Sequence, residues 1–274
     1  MNNGRRARGR VRAVILDWAG TAVDCGSRAA AGTFVGAFRR CGVRVTIQEA
    51  RAPMGLGKRD HIRAMLSMPR VASAWRETHG RPATDEDVEL LYAAFDPEAV
   101  AAVPGFAEPI PGVIEAVAAL RGRGVRIGSC TGYGDAIMAR VVPAARAAGY
   151  APDAVVTVDH VPAGRPAPWM IHENARQLDV WPMASIVKVD DTPVGIEEGL
   201  NAGCWAVGVA RTSSSVGLSL AEMAALGHDE LAERVRIAYQ ELARAGAHLV
   251  IDTAADLADA VGTIEGRLSR GERP

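Results

Sequence analysis

After a basic start, the chain's first apolar run covers 11–16 and stops abruptly at Asp17-Trp18-Ala19-Gly20-Thr21. A short apolar run bounded by turn residues reads as a strand buried on both faces. Runs of the same kind recur at 125–129, 154–158, 186–189, 205–209 and 248–251. Between them the apolar positions switch to helical spacing, over 112–122, 135–148, 167–178, 194–202, 230–244 and 254–268. Strands alternating with helices predict a parallel sheet with crossover connections. The polar stretch 211–219 reads as a loop.

The segment between the first two strands follows a different pattern. A helix is predicted from Ser27 through Phe34, Val35 and Phe38 to a stop at Gly42, and a second one after Thr46. A break at Pro53-Met54-Gly55-Leu56-Gly57 precedes a third helix over 58–66, and Thr84-Asp85-Glu86-Asp87 begins a fourth with acids in its first turn. Nothing there alternates as a strand does. The expectation is an α/β protein whose doubly wound parallel-sheet core comprises 11–26 and 106–274. Residues 27–105 form an inserted all-helical cap over the carboxyl edge of the sheet, and 1–10 a disordered basic tail.

Composition narrows the function classes. The 274 residues are 49% hydrophobic, ample for a large core, and 31 basic residues nearly balance 32 acidic ones. No broad field points to nucleic acid or an anionic membrane, and no apolar run approaches the roughly 20 residues of a bilayer span. The tail, with Arg5, Arg6, Arg8 and Arg10, lacks the apolar segment of a secretory signal; an RNA-binding arm is its alternative reading. Cys25, Cys41, Cys130 and Cys204 have no metal-ligand spacing and fit reduced thiols in a cytoplasm. Only Lys58 and Lys188 among the basic residues are lysines. Arginine cannot act as an amine nucleophile and lysine can, so a lysine kept in an arginine background is a candidate for chemistry.

Four sites coincide with strand ends. Asp17 is placed as a nucleophile or metal ligand at the carboxyl edge. Ser129-Cys130-Thr131-Gly132-Tyr133-Gly134 runs from a strand through a glycine turn into a helix, an arrangement that holds phosphate. Gly164-Arg165-Pro166 offers a cation for phosphoryl oxygens. Lys188-Val189-Asp190-Asp191-Thr192 brings two adjacent carboxylates that call for a cation, Mg²⁺ being the natural one. Each alone has a plainer reading as a cap, a turn or a surface loop. On one sheet edge, they make a phosphoryl-transfer site.

The first segment resembles the nucleophile loop of the haloacid dehalogenase superfamily, Asp-x-Asp-Gly-Thr in its phosphatases, with Ala19 in place of their general acid. With the cap segment from Glu49 to His61, Thr131-Gly132-Tyr133 and Pro162 to Pro166 included, the chain resembles the superfamily's phosphonatase family from Val11 to about Ile264. That resemblance implies Mg²⁺-dependent cleavage of the C–P bond of phosphonoacetaldehyde, in 2-aminoethylphosphonate degradation. Lys58 would form a Schiff base with the aldehyde, and Asp17 would take the phosphoryl group. A carbon leaving as an enamine needs no proton donor, which explains Ala19 and Lys58 together. His61, one helical turn from Lys58, is a proton-shuttle candidate. Met54, Gly55, Thr131, Gly132, Tyr133 and Arg165 would contact substrate, and Asp17, the Ala19 carbonyl and Asp191 the metal, with Asp190 as second choice. The resemblance also implies a homodimer joined through the caps. One departure stands out: where many superfamily members, some phosphonatases among them, have Gly-Asp and another Asp a turn later, this chain has Asp190-Asp191 and then Gly195. The alternatives are a capped phosphatase or phosphomutase acting on a small phosphate ester, and a non-catalytic dimeric scaffold.

Overall fold

The computed structural model describes residues 9–274, so most of the stretch expected to be a disordered tail lies outside the described residues. Strand β1 (Ala13–Leu16) is followed by five helices, α1 (Arg28–Arg40), α2 (Ile47–Arg51), α3 (Lys58–Ser67), α4 (Pro69–His79) and α5 (Asp85–Ala102). Then come α6 (Val113–Gly122), β2 (Arg126–Thr131), α7 (Asp135–Ala147), β3 (Ala154–Thr157), α8 (Trp169–Gln177), β4 (Ile186–Asp190) and α9 (Pro193–Asn201). The chain closes with β5 (Trp205–Val209), α10 (Leu220–Ala225), α11 (His228–Arg244), β6 (Leu249–Ile251) and α12 (Leu257–Ser269).

All six expected strands form one parallel sheet in the order β3-β2-β1-β4-β5-β6. The strands after β1 run outward on one side, and from β4 they run outward on the other. The topological switch point therefore lies between β1 and β4, where an open α/β sheet leaves a crevice at its carboxyl ends. Alternate β1 side chains feed opposite faces: Val14 and Leu16 join one apolar cluster, Ala13 and Ile15 another.

Helices α1–α5 pack mainly on one another, α1 against α2 and α5, and α3 against α4 and α5. Phe34, Phe38, Trp75 and Phe95 fill that layer, and their cluster continues without a break into the Val14–Leu16 face of the sheet. Two helices were not legible in the sequence. Helix α4 starts at Pro69, directly after α3 ends, and buries only Val71 and Trp75. Its stripe is too thin to register, and a proline at the first helical position looks from sequence like a stop. Helix α10 is six residues long with one buried side chain, Met223. Among the described residues, no helix is long and apolar enough to cross a membrane.

Candidate active site

Register sets the centre of the site. Leu16 pairs with Val189, and the Asp17 N–H donates to the Val189 carbonyl at 2.9 Å, so β1 and β4 deliver Asp17, Asp190 and Asp191 to one spot. Each of the three offers an oxygen, all within 4.8 Å of one another. Two glycines let the helical layer close on this edge. Gly55, at φ 96°, would put a Cβ 2.5 Å from Thr192 Oγ1, and a Cβ on Gly132 would stand 2.8 Å from the Leu56 carbonyl. The loop between α2 and α3 therefore rests directly on the ends of β2 and β4, and Lys58, the first residue of α3, arrives beside them.

A small cavity lies between these elements. Of the residues singled out in the sequence, Asp17, Ala19, Met54, Gly55, Lys58, Thr131, Gly132, Tyr133 and Arg165 line it. His61, Asp190 and Asp191 stand behind this lining.

Lys58 is buried, and its Nζ lies 4.4 Å from the Tyr133 ring centroid and 5.6 Å from that of Phe34. Among the described residues it forms no ion pair. Burial brings its pKa down to about 8, with Arg165 adding in the same direction and Asp17 opposing. Arg59, its chain neighbour, faces outward, bonded to Glu89 at 2.7 Å and stacked on Tyr92. His61 is fully buried against Phe34, and its Nε2 lies 2.9 Å from the Ala50 carbonyl. A carbonyl only accepts, so Nε2 carries the proton and Nδ1, which has no partner, is the free lone pair. Burial and the Lys58 charge keep the ring neutral.

Arg165 is gripped on three sides: by Asp17 at 2.6 Å, by Glu198 at 2.9 Å and by Asp190 at 3.4 Å. Lys188, with no exposed surface, reaches Asp190 at 2.8 Å, Glu198 at 3.5 Å and the Cys130 sulfur at 3.0 Å. Burial opposes charge on Lys188, yet the adjoining carboxylates outweigh it and raise its pKa above the ordinary lysine value. Burial likewise pushes the Cys130 thiol up to about 11, so it is no nucleophile at neutral pH.

Asp191 differs from Asp190 in its partners. It accepts from Thr21 Oγ1 at 3.2 Å and the Ser214 N–H at 2.8 Å, but forms no salt bridge among the described residues. Burial and the carboxylates of Asp190 and Asp17 push its pKa well above the ordinary value. A buried carboxylate beside two others, lacking a cation of its own, is what a divalent cation neutralises. No described hydrogen bond ends on the Ala19 carbonyl, which lines the same cavity. The donor set is hard oxygen throughout and fits a metal of the Mg²⁺ type.

Ser27, Leu56 and Thr192 also line the cavity and were not singled out in the sequence, nor was Glu198. In the sequence Ser27 marks only the start of a helix. It adopts a left-handed conformation (φ 48°, ψ 48°), and the Asp24 carboxylate caps α1 through the N–H groups of Arg28 and Ala29, both at 3.0 Å.

A parallel sheet with an acid-rich switch point and a helical layer over it defines the class. Residues 11–203 match the haloacid dehalogenase-like hydrolase family, and the chain belongs to it. Within it the likeness is closer. Over 264 residues the chain is 48% identical to a phosphonoacetaldehyde hydrolase of Paraburkholderia xenovorans, covering 96% of this chain and 99% of that one. The Klebsiella pneumoniae phosphonoacetaldehyde hydrolase is also 48% identical, over 97% of this chain and 99% of its own. The crystal structure of a phosphonoacetaldehyde hydrolase-like protein from Oleispira antarctica superposes with a TM-score of 0.95 at 43% identity, over 97% of each chain. This chain is thus a member of the phosphonoacetaldehyde hydrolase family and a hydrolase.

Proposed function

We propose that the protein hydrolyses phosphonoacetaldehyde to acetaldehyde and inorganic phosphate, with Lys58 and Asp17 as its two covalent centres. The observation that carries the reading is a buried lysine, its pKa lowered to about 8, sharing one cavity with an aspartate that has no acid two residues on. The free Lys58 amine adds to the aldehyde carbon and water departs, leaving a protonated imine. An Asp17 oxygen attacks phosphorus, the C–P bond breaks, and its electron pair enters the imine to give an enamine. Protonation at carbon and hydrolysis of the imine release acetaldehyde and restore Lys58. Water then cleaves the Asp17 acyl phosphate.

Arg165, 2.6 Å from Asp17, is within reach of the phosphoryl oxygens, and Thr131 and Gly132 line the same cavity. Asp17, the Ala19 carbonyl and Asp191 would hold Mg²⁺. When bound, that ion screens the Asp17 carboxylate from the phosphonate's charge and neutralises Asp191. His61, neutral and with a free Nδ1 one turn from Lys58, is suited to accept a proton as the imine forms. Residues 27–105 act in this reading as a cap that excludes water from Lys58, on a core of 11–26 and 106–274. A homodimer joined through the caps and a cytoplasmic location belong to the same proposal; four free thiols support the location. A place in 2-aminoethylphosphonate breakdown belongs to the same proposal.

The test is incubation with phosphonoacetaldehyde, measuring acetaldehyde and phosphate in parallel, with and without chelator. Equal yields of both, abolished by chelation and restored by Mg²⁺, are expected. Turnover of phosphate monoesters with none of phosphonoacetaldehyde would favour the phosphatase reading instead.

A further inference from the structure

The departure at Gly195 has a spatial counterpart. A Cβ built on Gly195 would lie 2.0 Å from Asp190 Cγ and 2.1 and 2.2 Å from its two carboxylate oxygens. No pair of real atoms approaches so closely without a bond, so positions 190 and 195 address one volume and only one of them can carry a side chain. The Asp190 carboxylate fills that volume from the end of β4, and it is entirely enclosed. Its Oδ1 accepts from the Thr192 N–H at 3.0 Å and the Thr192 hydroxyl at 2.7 Å. Its Oδ2 faces Lys188 Nζ at 2.8 Å and the Arg165 guanidinium at 3.4 Å. Oδ1 is thus held by hydrogen bonds and Oδ2 by the two cations, in contrast to Asp191, which has no cation among the described residues.

We infer that Asp190 is a positioning residue whose carboxylate stands in for the one that many superfamily members carry a turn further on, at the place of Gly195. It braces Arg165 and Lys188 beneath Asp17. The need for a brace follows from geometry. Arg165 presents one nitrogen to Asp17, where a phosphoryl group must enter, so its aim during the reaction depends on the contacts that persist. The charged contacts among these are Glu198 on one side and Asp190 on the other, beside weaker ones to the Gly55 and Cys130 carbonyls at 3.4 and 3.3 Å. Of its two carboxylate contacts, Lys188 would keep only the longer, to Glu198, if Asp190 were removed. The plain alternative, that Asp190 merely ends β4 and shapes the Thr192 turn, needs hydrogen-bond acceptors but no charge. Asparagine would supply those.

The inference rests on the function proposed above, and a swap tests it separately. Asp190→Asn, Asp190→Gly, Gly195→Asp and the double variant Asp190→Gly/Gly195→Asp are purified, and folding is checked by circular dichroism and melting temperature. Both Asp190 singles should lower kcat about tenfold or more, with half-saturating Mg²⁺ unchanged. Gly195→Asp alone, which crowds two carboxylates into one volume, should lose stability as well as activity. The double variant should regain kcat to within about threefold of the original protein, because its side chain enters the volume that the Asp190 carboxylate vacates. Each variant is also titrated with inorganic phosphate in the presence of Mg²⁺, where weakening and recovery should run in parallel. If the unaltered protein does not turn over phosphonoacetaldehyde, the proposed function fails while the phosphate titrations still judge Asp190. Three results would overturn the inference: full kcat in Asp190→Asn, a folded double variant no better than Asp190→Gly, or a raised Mg²⁺ requirement with kcat preserved at saturation.

Discussion

The chain has two lysines and buries both, yet their surroundings are opposite. Lys188 lies beneath the sheet edge among Asp190, Glu198 and Cys130, and the carboxylates hold it protonated. Lys58 lies above the edge, against the faces of Tyr133 and Phe34, with no carboxylate in ion-pair contact, and burial lowers its pKa to about 8. One residue type buried twice becomes a fixed charge in one place and an amine near neutrality in the other. What separates them is compensation, since desolvation acts against charge in both. Arg165 links the two regions: it strengthens the carboxylate network below and pushes the Lys58 pKa down from above.

The largest effect expected from breaking this contrast is at Lys58. Lys58→Arg keeps a cation against the aromatic faces and removes the ability to form an imine. Phosphonoacetaldehyde turnover should fall on the order of 10³-fold or more, with the melting temperature almost unchanged. Borohydride added with substrate should label the original protein at Lys58 and leave Lys188 unlabelled. Arginine supporting a rate within about tenfold of the original would show that charge, not the amine, is what this position contributes.

That contrast was only half legible in the sequence. Asp17, Thr131 and the Asp190-Asp191 pair stand where apolar runs end, and a strand's end is a position that a linear pattern reveals. Lys58 drew notice through the scarcity of lysine. Glu198 was missed because it sits inside α9, where nothing linear links it to Lys188 or Arg165; the one available signal is an acid on the stripe that α9 buries through Gly195, Ile196 and Gly199. Ser27 stood in the sequence only as the start of a helix, and the capping of that helix by the Asp24 carboxylate is visible only in the structure. Whether Asp190 or Asp191 lacks a cation depends on side-chain direction, and adjacent residues on a strand point opposite ways.

The next effect concerns stability. Lys188→Met leaves Asp190 and Glu198 enclosed with Arg165 as their one remaining cation among the described residues, and breaking a buried charge network in this way costs about 3–5 kcal/mol. A fall in melting temperature of roughly 10 °C is expected for a chain of this size. Lys188→Arg, which keeps the charge, should lose much less. If Lys188→Met melts with the original protein, the carboxylates do not depend on Lys188 and the fixed-charge half of the comparison is wrong.

The smallest effect is the one that identifies which cation tunes Lys58. Only the unprotonated amine adds to an aldehyde, so kcat/KM should rise about tenfold per pH unit on the acid side and level off near pH 8, where Lys58 gives up its proton. Lys188, held protonated, adds no inflection in that range. Arg59 is adjacent to Lys58 in the chain, but its guanidinium is exposed and engaged by Glu89 and the Tyr92 ring. An exposed pair of this kind contributes well under about 1 kcal/mol, and its field is screened by solvent. Arg59→Gln should therefore leave turnover within about twofold and the midpoint of the pH profile in place. A midpoint moved upward by Arg59→Gln would mean that the outward cation, and not burial assisted by Arg165, sets the Lys58 amine, and the two lysines would then differ for a reason other than their enclosure.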